Sequence, residues 1–299
     1  MAIKRQKRKL DEVACDPIIS QSIIGSLMYA MTAIPPDIAY AIGVLRRYNH
    51  DPSNEHMAAL KRVVRYRNST NDWRLHFGEA LGGALEGALG GPLGGEAASA
   101  LRCYIDSDYA GCPDDNKSTS GLVITFGGAV DWRSRKQKST ALSMTDVEYY
   151  VFRVGCMRLT EILHLLKEVG IPTIPHGFSD SQSLIASIKN RIYRRTAVAL
   201  IATKYYLAPD MAGDGEIDLS YVPTAEMLTN CFTKPMPKPA LLKLCFAMGM
   251  IGIELGKGLG NGLGIGITNG LGNGLGTLRN GRVNGIAIGI GYVVGNAVR

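Results

Sequence analysis

No apolar run in the sequence approaches the roughly 20 residues a membrane-spanning helix needs. Even the hydrophobic C-terminal stretch is broken by Gly, Asn or Arg every few positions, so no membrane partner is expected. There is no CxxC pair: Cys15, Cys103, Cys112, Cys156, Cys231 and Cys245 are dispersed, which argues against a zinc site and against a disulfide framework. The histidines His50, His56, His76, His164 and His176 have no zinc-like partner three or four residues away, so structural or surface roles are expected for them. Ser139 and Ser143 have no histidine base beside them, which leaves a serine hydrolase unsupported. The glycine-rich stretches are not followed by Gly-Lys-Ser/Thr, so they form no phosphate loop. Aromatic residues, at 7%, are sparse for a dense all-β sandwich. The N-terminus carries Lys4, Arg5, Lys7, Arg8 and Lys9 but no apolar segment after them, so it does not read as a secretory signal. An intracellular chain, cytoplasmic or nuclear, is expected.

What is present suffices for at least one packed core: 299 residues, 46% of them hydrophobic and 20% charged. The net charge of +7 favours polyanionic partners such as nucleic acid. The basic residues 1–17 read as a tail, open to a role as an import signal, as a nucleic-acid arm, or as a merely solvated end. The 36 glycines are unevenly placed and mark the organisation. In 78–100 the units Ala-Leu-Gly-Gly, Ala-Leu-Glu-Gly, Ala-Leu-Gly-Gly and Pro-Leu-Gly-Gly follow one another. Such glycine density is entropically costly to order, so a linker is expected there. From 251 to 299, 16 of 49 residues are glycine with no fixed period, and 246–299 is expected to form a disordered low-complexity tail.

Between these stretches the patterning is globular. In 18–77, Ile23, Ile24, Leu27, Met28 and Met31 recur at helical spacing, Pro35-Pro36 interrupts, and Asp37 is placed to cap a second helix through Ile38, Ala41, Ile42 and Leu45. A third helix after Asp51-Pro52-Ser53 turns Met57, Leu60, Val63 and Val64 inward and Lys61, Arg62, Arg65 and Arg67 outward. In 101–245, strands are expected at 102–106, 122–126 and 129–134, the last two joined by a Gly127-Gly128 hairpin. A long helix at about 145–169 follows, ended by Gly170 and Pro172. Then come a strand at 174–179, a helix at 181–189, an uncertain helical segment at 196–211, a strand at 217–222 and a final helix. The order βββαβα(α)βα predicts an α/β fold, with a mixed sheet and helices on its faces.

Three carboxylates fall at element ends: Asp106 after the first strand, Glu148 early in the long helix, and Asp180 after the fourth strand. Brought together they would make a hard oxygen site suited to Mg²⁺ or Mn²⁺. Two such ions about 4 Å apart can activate water and steady the leaving oxygen of a phosphodiester. Spacing alone leaves the ordinary alternative open, in which Asp106 and Asp180 cap turns and Glu148 lies in solvent.

The surrounding residues carry more. Tyr104 to Gly111, Lys117 to Gly121, Trp132 to Ser143 with Glu148-Tyr149, Ser179 to Ser183, Gly215 to Ile217, Tyr221 to Thr224 and Thr233 to Pro235 resemble, in order and spacing, the ribonuclease H domain of copia-type retrotransposon Pol polyproteins. Ile24 to Tyr29 and Pro36 to Ala41 resemble the segment joining the reverse transcriptase to that domain. The resemblance spans about 18–245 apart from the linker. It implies a ribonuclease H-like mixed five-stranded sheet with flanking helices, preceded by a small helical segment. It further implies metal-dependent cleavage of the RNA strand of an RNA/DNA hybrid, with Mg²⁺ or Mn²⁺ held by Asp106, Glu148 and Asp180. Asp106 is preferred to Asp108 because it follows the strand directly. Arg133, Arg135, Lys136 and Lys138 would hold hybrid phosphates, while Trp132 would either pack on a sugar or fill core space. Other Pol components are the remaining expected partners.

Two departures qualify the resemblance. The family's fourth catalytic acid is replaced by Asn230, which offers a carbonyl oxygen but removes a charge. The family's Lys-His-Ile-Asp segment is approximated by Ala199 to Ala202, without its charged groups. No Tyr-x-Asp-Asp polymerase signature occurs, since Asp114-Asp115 stands in a polar loop, and protease and integrase segments are absent. The expected product is a truncated Pol remnant that is an endoribonuclease, with a catalytically impaired nucleic-acid-binding relic as the alternative.

Overall fold

The computed structural model describes residues 6–33, 36–77, 100–138, 140, 143–171, 173, 175–190 and 217–252. The expected 78–99 linker, the 196–211 helical segment, the Ala199 to Ala202 departure and the glycine repeats beyond Gly252 lie outside them. Its elements are helices α1 (Pro17–Ala33), α2 (Ala39–Leu45) and α3 (Asn54–Ser69), strands β1 (Arg74–Leu75), β2 (Arg102–Asp108), β3 (Thr119–Thr125) and β4 (Ala129–Lys136), then α4 (Met144–Glu168), β5 (His176–Ser179), α5 (Gln182–Lys189), β6 (Asp218–Tyr221), α6 (Asn230–Thr233), α7 (Lys238–Ala247) and β7 (Met250–Ile251).

Five strands form one mixed sheet in the order β4-β3-β2-β5-β6. The β2–β3 and β3–β4 pairs are antiparallel, and β2–β5 and β5–β6 are parallel. The element order anticipated an α/β fold with a mixed sheet and helices on its faces, and the five-stranded ribonuclease H-like arrangement is the one the resemblance implied. Three hairpin-linked strands need only short turns, whereas each parallel pairing requires a helical crossover, supplied by α4 between β2 and β5. The β3–β4 turn closes through Gly127 at φ +66°, with Phe126 N–H donating to Gly128 O. Long helix α4 starts where the Ser143 side chain accepts from the Asp146 amide, and stops before Gly170 at φ +78°.

Alternation along the strands divides the interior in two. Cys103, Ile105, Leu122 and Ile124 face α4 and α5, burying Val151, Leu159, Ile162, Leu184 and Ile188. Tyr104 and Val123 face the other way, toward Leu228, Phe232, Leu244 and Met248 of the C-terminal segment. At about 1.5–3 kcal/mol for each fully buried large aliphatic side chain, these layers hold the sheet between its helices.

The N-terminal helices have their own core of Ile24, Leu27, Ile42, Leu45, Leu60 and Val63. They also extend the second layer of the sheet domain, since Ala39 and Trp73 are buried in it. Gly43 lets α2 lie on β4, where an added Cβ would stand 3.3 Å from Ser134 O. Strand β1 pairs antiparallel with β7, which ties the segment after α3 to the C-terminal end of the described chain. The 245/246 boundary expected from glycine content falls inside α7, and Met248 and Met250 are buried beyond it.

One capping expectation is corrected. Asp37 does not cap α2: the residue at the cap is Ile38, with no side-chain bond, and Asp37 lies buried in a 3₁₀ turn, Pro36–Ile38. Burial pushes its carboxyl up to about 6. The third helix is capped by Ser53, with Ser53 and His56 bonded reciprocally through side chain and backbone.

Candidate metal and nucleic-acid site

At the C-terminal ends of the two central parallel strands, three acidic side chains converge. Asp106 comes from β2, Asp180 follows β5, and Glu148 comes from the first turns of α4. One carboxylate oxygen from each lies within 4.8 Å of the others. The capping alternative for these residues is thereby set aside, because Asp106 and Glu148 are buried and point at one another's site rather than at turns or solvent. The preference for Asp106 over Asp108 agrees with this grouping, although the strand runs on to Asp108.

Each carboxylate has one hydroxyl donor. Ser107 Oγ donates to Glu148 Oε1 at 2.5 Å, Thr233 Oγ to Asp106 Oδ2 at 2.6 Å, and Thr224 Oγ to Asp180 Oδ2 at 2.7 Å. Because successive β2 residues point to opposite faces, Asp106 reaches the α6 side while its neighbour Ser107 reaches α4. These three donors were not singled out from the sequence. Ser107 adjoins a predicted acid, and Thr224 and Thr233 stand within quoted motifs, but nothing in a hydroxyl's sequence position tells which oxygen it meets.

Electrostatically the cluster is short of positive charge. Burial, then the charges of Asp106 and Asp180, push Glu148 up to about 8, against the Ser107 bond that favours its ionised form. Burial also raises Asp106, opposed by the Thr233 bond and reinforced by Asp180. Glu148 Oε2 is buried with no hydrogen-bond partner among the described residues. An orphaned carboxylate oxygen beside two further carboxylates fits a hard divalent cation, which would satisfy it and reverse the upward shifts. The residues present therefore fit a divalent ion of the Mg²⁺ or Mn²⁺ type.

Asn230 is buried at the start of α6, and its amide nitrogen donates to Thr224 O. Its Oδ1 is buried without a partner among the described residues. Within β4 the basic run is divided between the two faces of the strand. Arg133 and Arg135 alternate with Lys136 along β4. Arg133 is half-buried in the field of Asp131, Arg158 and Glu161, and burial lowers its pKa. Lys136 is paired with Asp115 at 2.9 Å, while Arg135 and Lys138 are exposed. Trp132 is partly buried and packs against the second core. Among the described residues, all six cysteines are free thiols and no helix is long and apolar enough to cross a membrane.

No family model matches the chain. It is 33% identical over 219 residues to the retrovirus-related Pol polyprotein from transposon TNT 1-94 of Nicotiana tabacum, a match covering 73% of this chain and 15% of that protein. It is 40% identical over 129 residues to secreted RxLR effector protein 161 of Plasmopara viticola, covering 43% of this chain and 80% of that one. Among solved structures, LC11-RNase H1 in complex with RNA/DNA hybrid is similar at 17% identity and a TM-score of 0.31, covering 42% of this chain and 88% of that one. The chain thus spans about 15% of the length of the Pol relative. At 33% identity over nearly three quarters of its length, the chain belongs to the family of retrovirus-related Pol polyproteins of copia-type retrotransposons.

Proposed function

We propose that the chain is a divalent-metal-dependent endoribonuclease that cleaves the RNA strand of RNA/DNA hybrids. The observation that carries this reading is the convergence of Asp106, Glu148 and Asp180 to within 4.8 Å at the ends of parallel strands. These three residues would hold the ion, with Mg²⁺ as the physiological choice and Mn²⁺ as a substitute. A bound divalent ion supplies the positive charge that activates water for in-line attack and stabilises the departing 3′ oxygen. The chain's own groups do the rest. Ser107, Thr224 and Thr233 fix the three carboxylates, and Glu148 must give up its proton as a cation enters, since burial holds it protonated to about pH 8. Exposed Arg135 and Lys138 would hold hybrid phosphates, with half-buried Arg133 contributing field rather than contact. The 2′-hydroxyl distinguishes the strand to be cut. The setting this implies is intracellular, with other Pol components as possible partners.

Asn230 favours a second reading, a hybrid-binding chain that no longer cuts, because its charge-neutral amide stands where the family carries an acid. The two are separated by incubating the full chain with a labelled RNA/DNA hybrid in Mg²⁺ and in Mn²⁺, beside Asp106→Asn. Cutting that requires metal and disappears in the variant supports the nuclease. Retention of the hybrid without cutting, by a chain shown to be folded, supports the binding reading instead.

A further inference from the structure

We infer that Thr224 and Thr233, tied together through Asn230, are positioning residues that clamp Asp180 and Asp106 for cation binding, with the Asn230 amide nitrogen as the strut between them. This rests on the metal-site reading above and extends it to residues at the edge of the cluster. Thr233, at the end of α6, is fully buried, and its hydroxyl donates to Asp106 Oδ2 at 2.6 Å. Thr224, in the turn after β6, donates to Asp180 Oδ2 at 2.7 Å. A carboxylate with one oxygen fixed by a hydroxyl presents the other in a defined direction, which a bare rotatable carboxylate does not.

The two threonines belong to one unit. Asn230 opens α6 and donates its amide to Thr224 O, linking the helix that carries Thr233 to the turn that carries Thr224. The unit is pinned to the sheet. Ser134 Oγ on β4 donates to Phe232 O, and Gly121 on β3 leaves room for α6, where a Cβ would stand 2.7 Å from Thr233 Cγ2 and 3.0 Å from Thr229 O. An Asp at 230 would have no N–H to give to Thr224 O and would set a carboxylate oxygen against a carbonyl oxygen. Restoring the family's acid is therefore expected to loosen the Asp180 arm rather than complete the site.

The test uses the full chain with Thr233→Val, Thr233→Ser, Thr224→Val and Asn230→Asp, each checked for unchanged thermal unfolding. Mn²⁺ titration calorimetry is one readout. The carboxyl carbon-13 resonances of the metal-free protein at fixed pH are the second. Thr233→Val is expected to weaken Mn²⁺ binding about tenfold, as befits loss of one hydrogen bond to a charged group, and to shift the Asp106 resonance. Thr233→Ser keeps the hydroxyl and should restore both. Thr224→Val should do the same to Asp180, and Asn230→Asp should weaken Mn²⁺ binding. If folded Thr233→Val and Thr224→Val leave both carboxyl resonances in place, the clamp is overturned; if Asn230→Asp tightens Mn²⁺ binding, the strut role is overturned. If the wild type binds no Mn²⁺, the metal-site reading fails, while the carboxyl resonances still decide the clamp.

Discussion

Glu148 makes the sharpest single-residue prediction. Its carboxyl titrates near 4.5 when free and at about 8 in the fold, where burial comes first and two neighbouring carboxylates second. Between those values the folded chain keeps a proton that the unfolded chain has released. Stability is thus fully present below pH 4.5, falls as pH rises, and levels off above about 8. Denaturant midpoints at pH 5 and pH 8.5 in chelator should show the fall, and Glu148→Gln should flatten it; an unchanged slope in that variant would assign the effect elsewhere. Saturating Mg²⁺ should shrink the difference, since the cation binds the ionised form. A second residue-scale prediction concerns Arg158, nearly buried and bonded to Asp131 at 2.7 Å. Arg158→Ala leaves the largely buried Asp131 charge without its partner, and equilibrium unfolding should show a loss of about 3 kcal/mol. Periodicity placed each acid at a segment end but left their convergence open, and only the motifs around Asp106, Glu148 and Asp180 singled the three out together. The hydroxyls that orient them were not legible in the sequence, because Thr224 and Thr233 are nine residues apart in chain segments whose mutual approach depends on the fold.

At the scale of elements, the narrowest fit is α6 on β3. Gly121→Ala would force a methyl group into Thr233 Cγ2 and Thr229 O, with Phe232 Cβ only 3.2 Å away. Two of these contacts are backbone or short, buried side chain, so the helix must lift rather than a side chain turn. A loss of about 1–3 kcal/mol is expected, measurable as a lower denaturation midpoint, together with weaker metal binding because Thr233 moves with the helix. Unchanged stability would show that α6 is not seated as tightly as its contacts imply. Strands β2, β3 and β4 and helix α4 were readable to within a few residues, since the hairpin glycines, the apolar stripe and the Gly170 stop all agree. Pro36-Asp37 misled because a Pro-Asp pair before an apolar run has the chemistry of a helix start. Here tertiary packing buries the aspartate beneath α3 and α7 instead. Strands β1 and β7, two residues each, carry no periodic signal at all.

At the scale of the whole molecule, the N-terminal helices and the sheet domain share a buried layer. Trp73 abuts Gly252, where an added Cβ would stand 2.4 Å from its indole nitrogen, and Arg47 Nη2 donates to Thr119 Oγ at the end of β3. The sequence showed two apolar groups of helices and strands separated by a glycine-rich stretch, which gave no sign that the outer elements pack together. Both tryptophans, Trp73 and Trp132, lie in that shared layer. Thermal unfolding followed by tryptophan fluorescence and by far-ultraviolet circular dichroism should therefore coincide in one transition. Separate transitions would mean that the two parts fold independently. For the same reason activity is best sought in the full chain.

The most direct test of the central claim is the chemistry of the cut ends. An RNA/DNA hybrid incubated with the full chain and Mg²⁺ should yield RNA fragments bearing 3′-hydroxyl and 5′-phosphate ends by mass spectrometry. Those are the ends left by water attack with the 3′ oxygen departing. Fragments ending in a 2′,3′-cyclic phosphate, made by the RNA's own 2′-hydroxyl, or intact hybrid in the presence of folded protein, would contradict it.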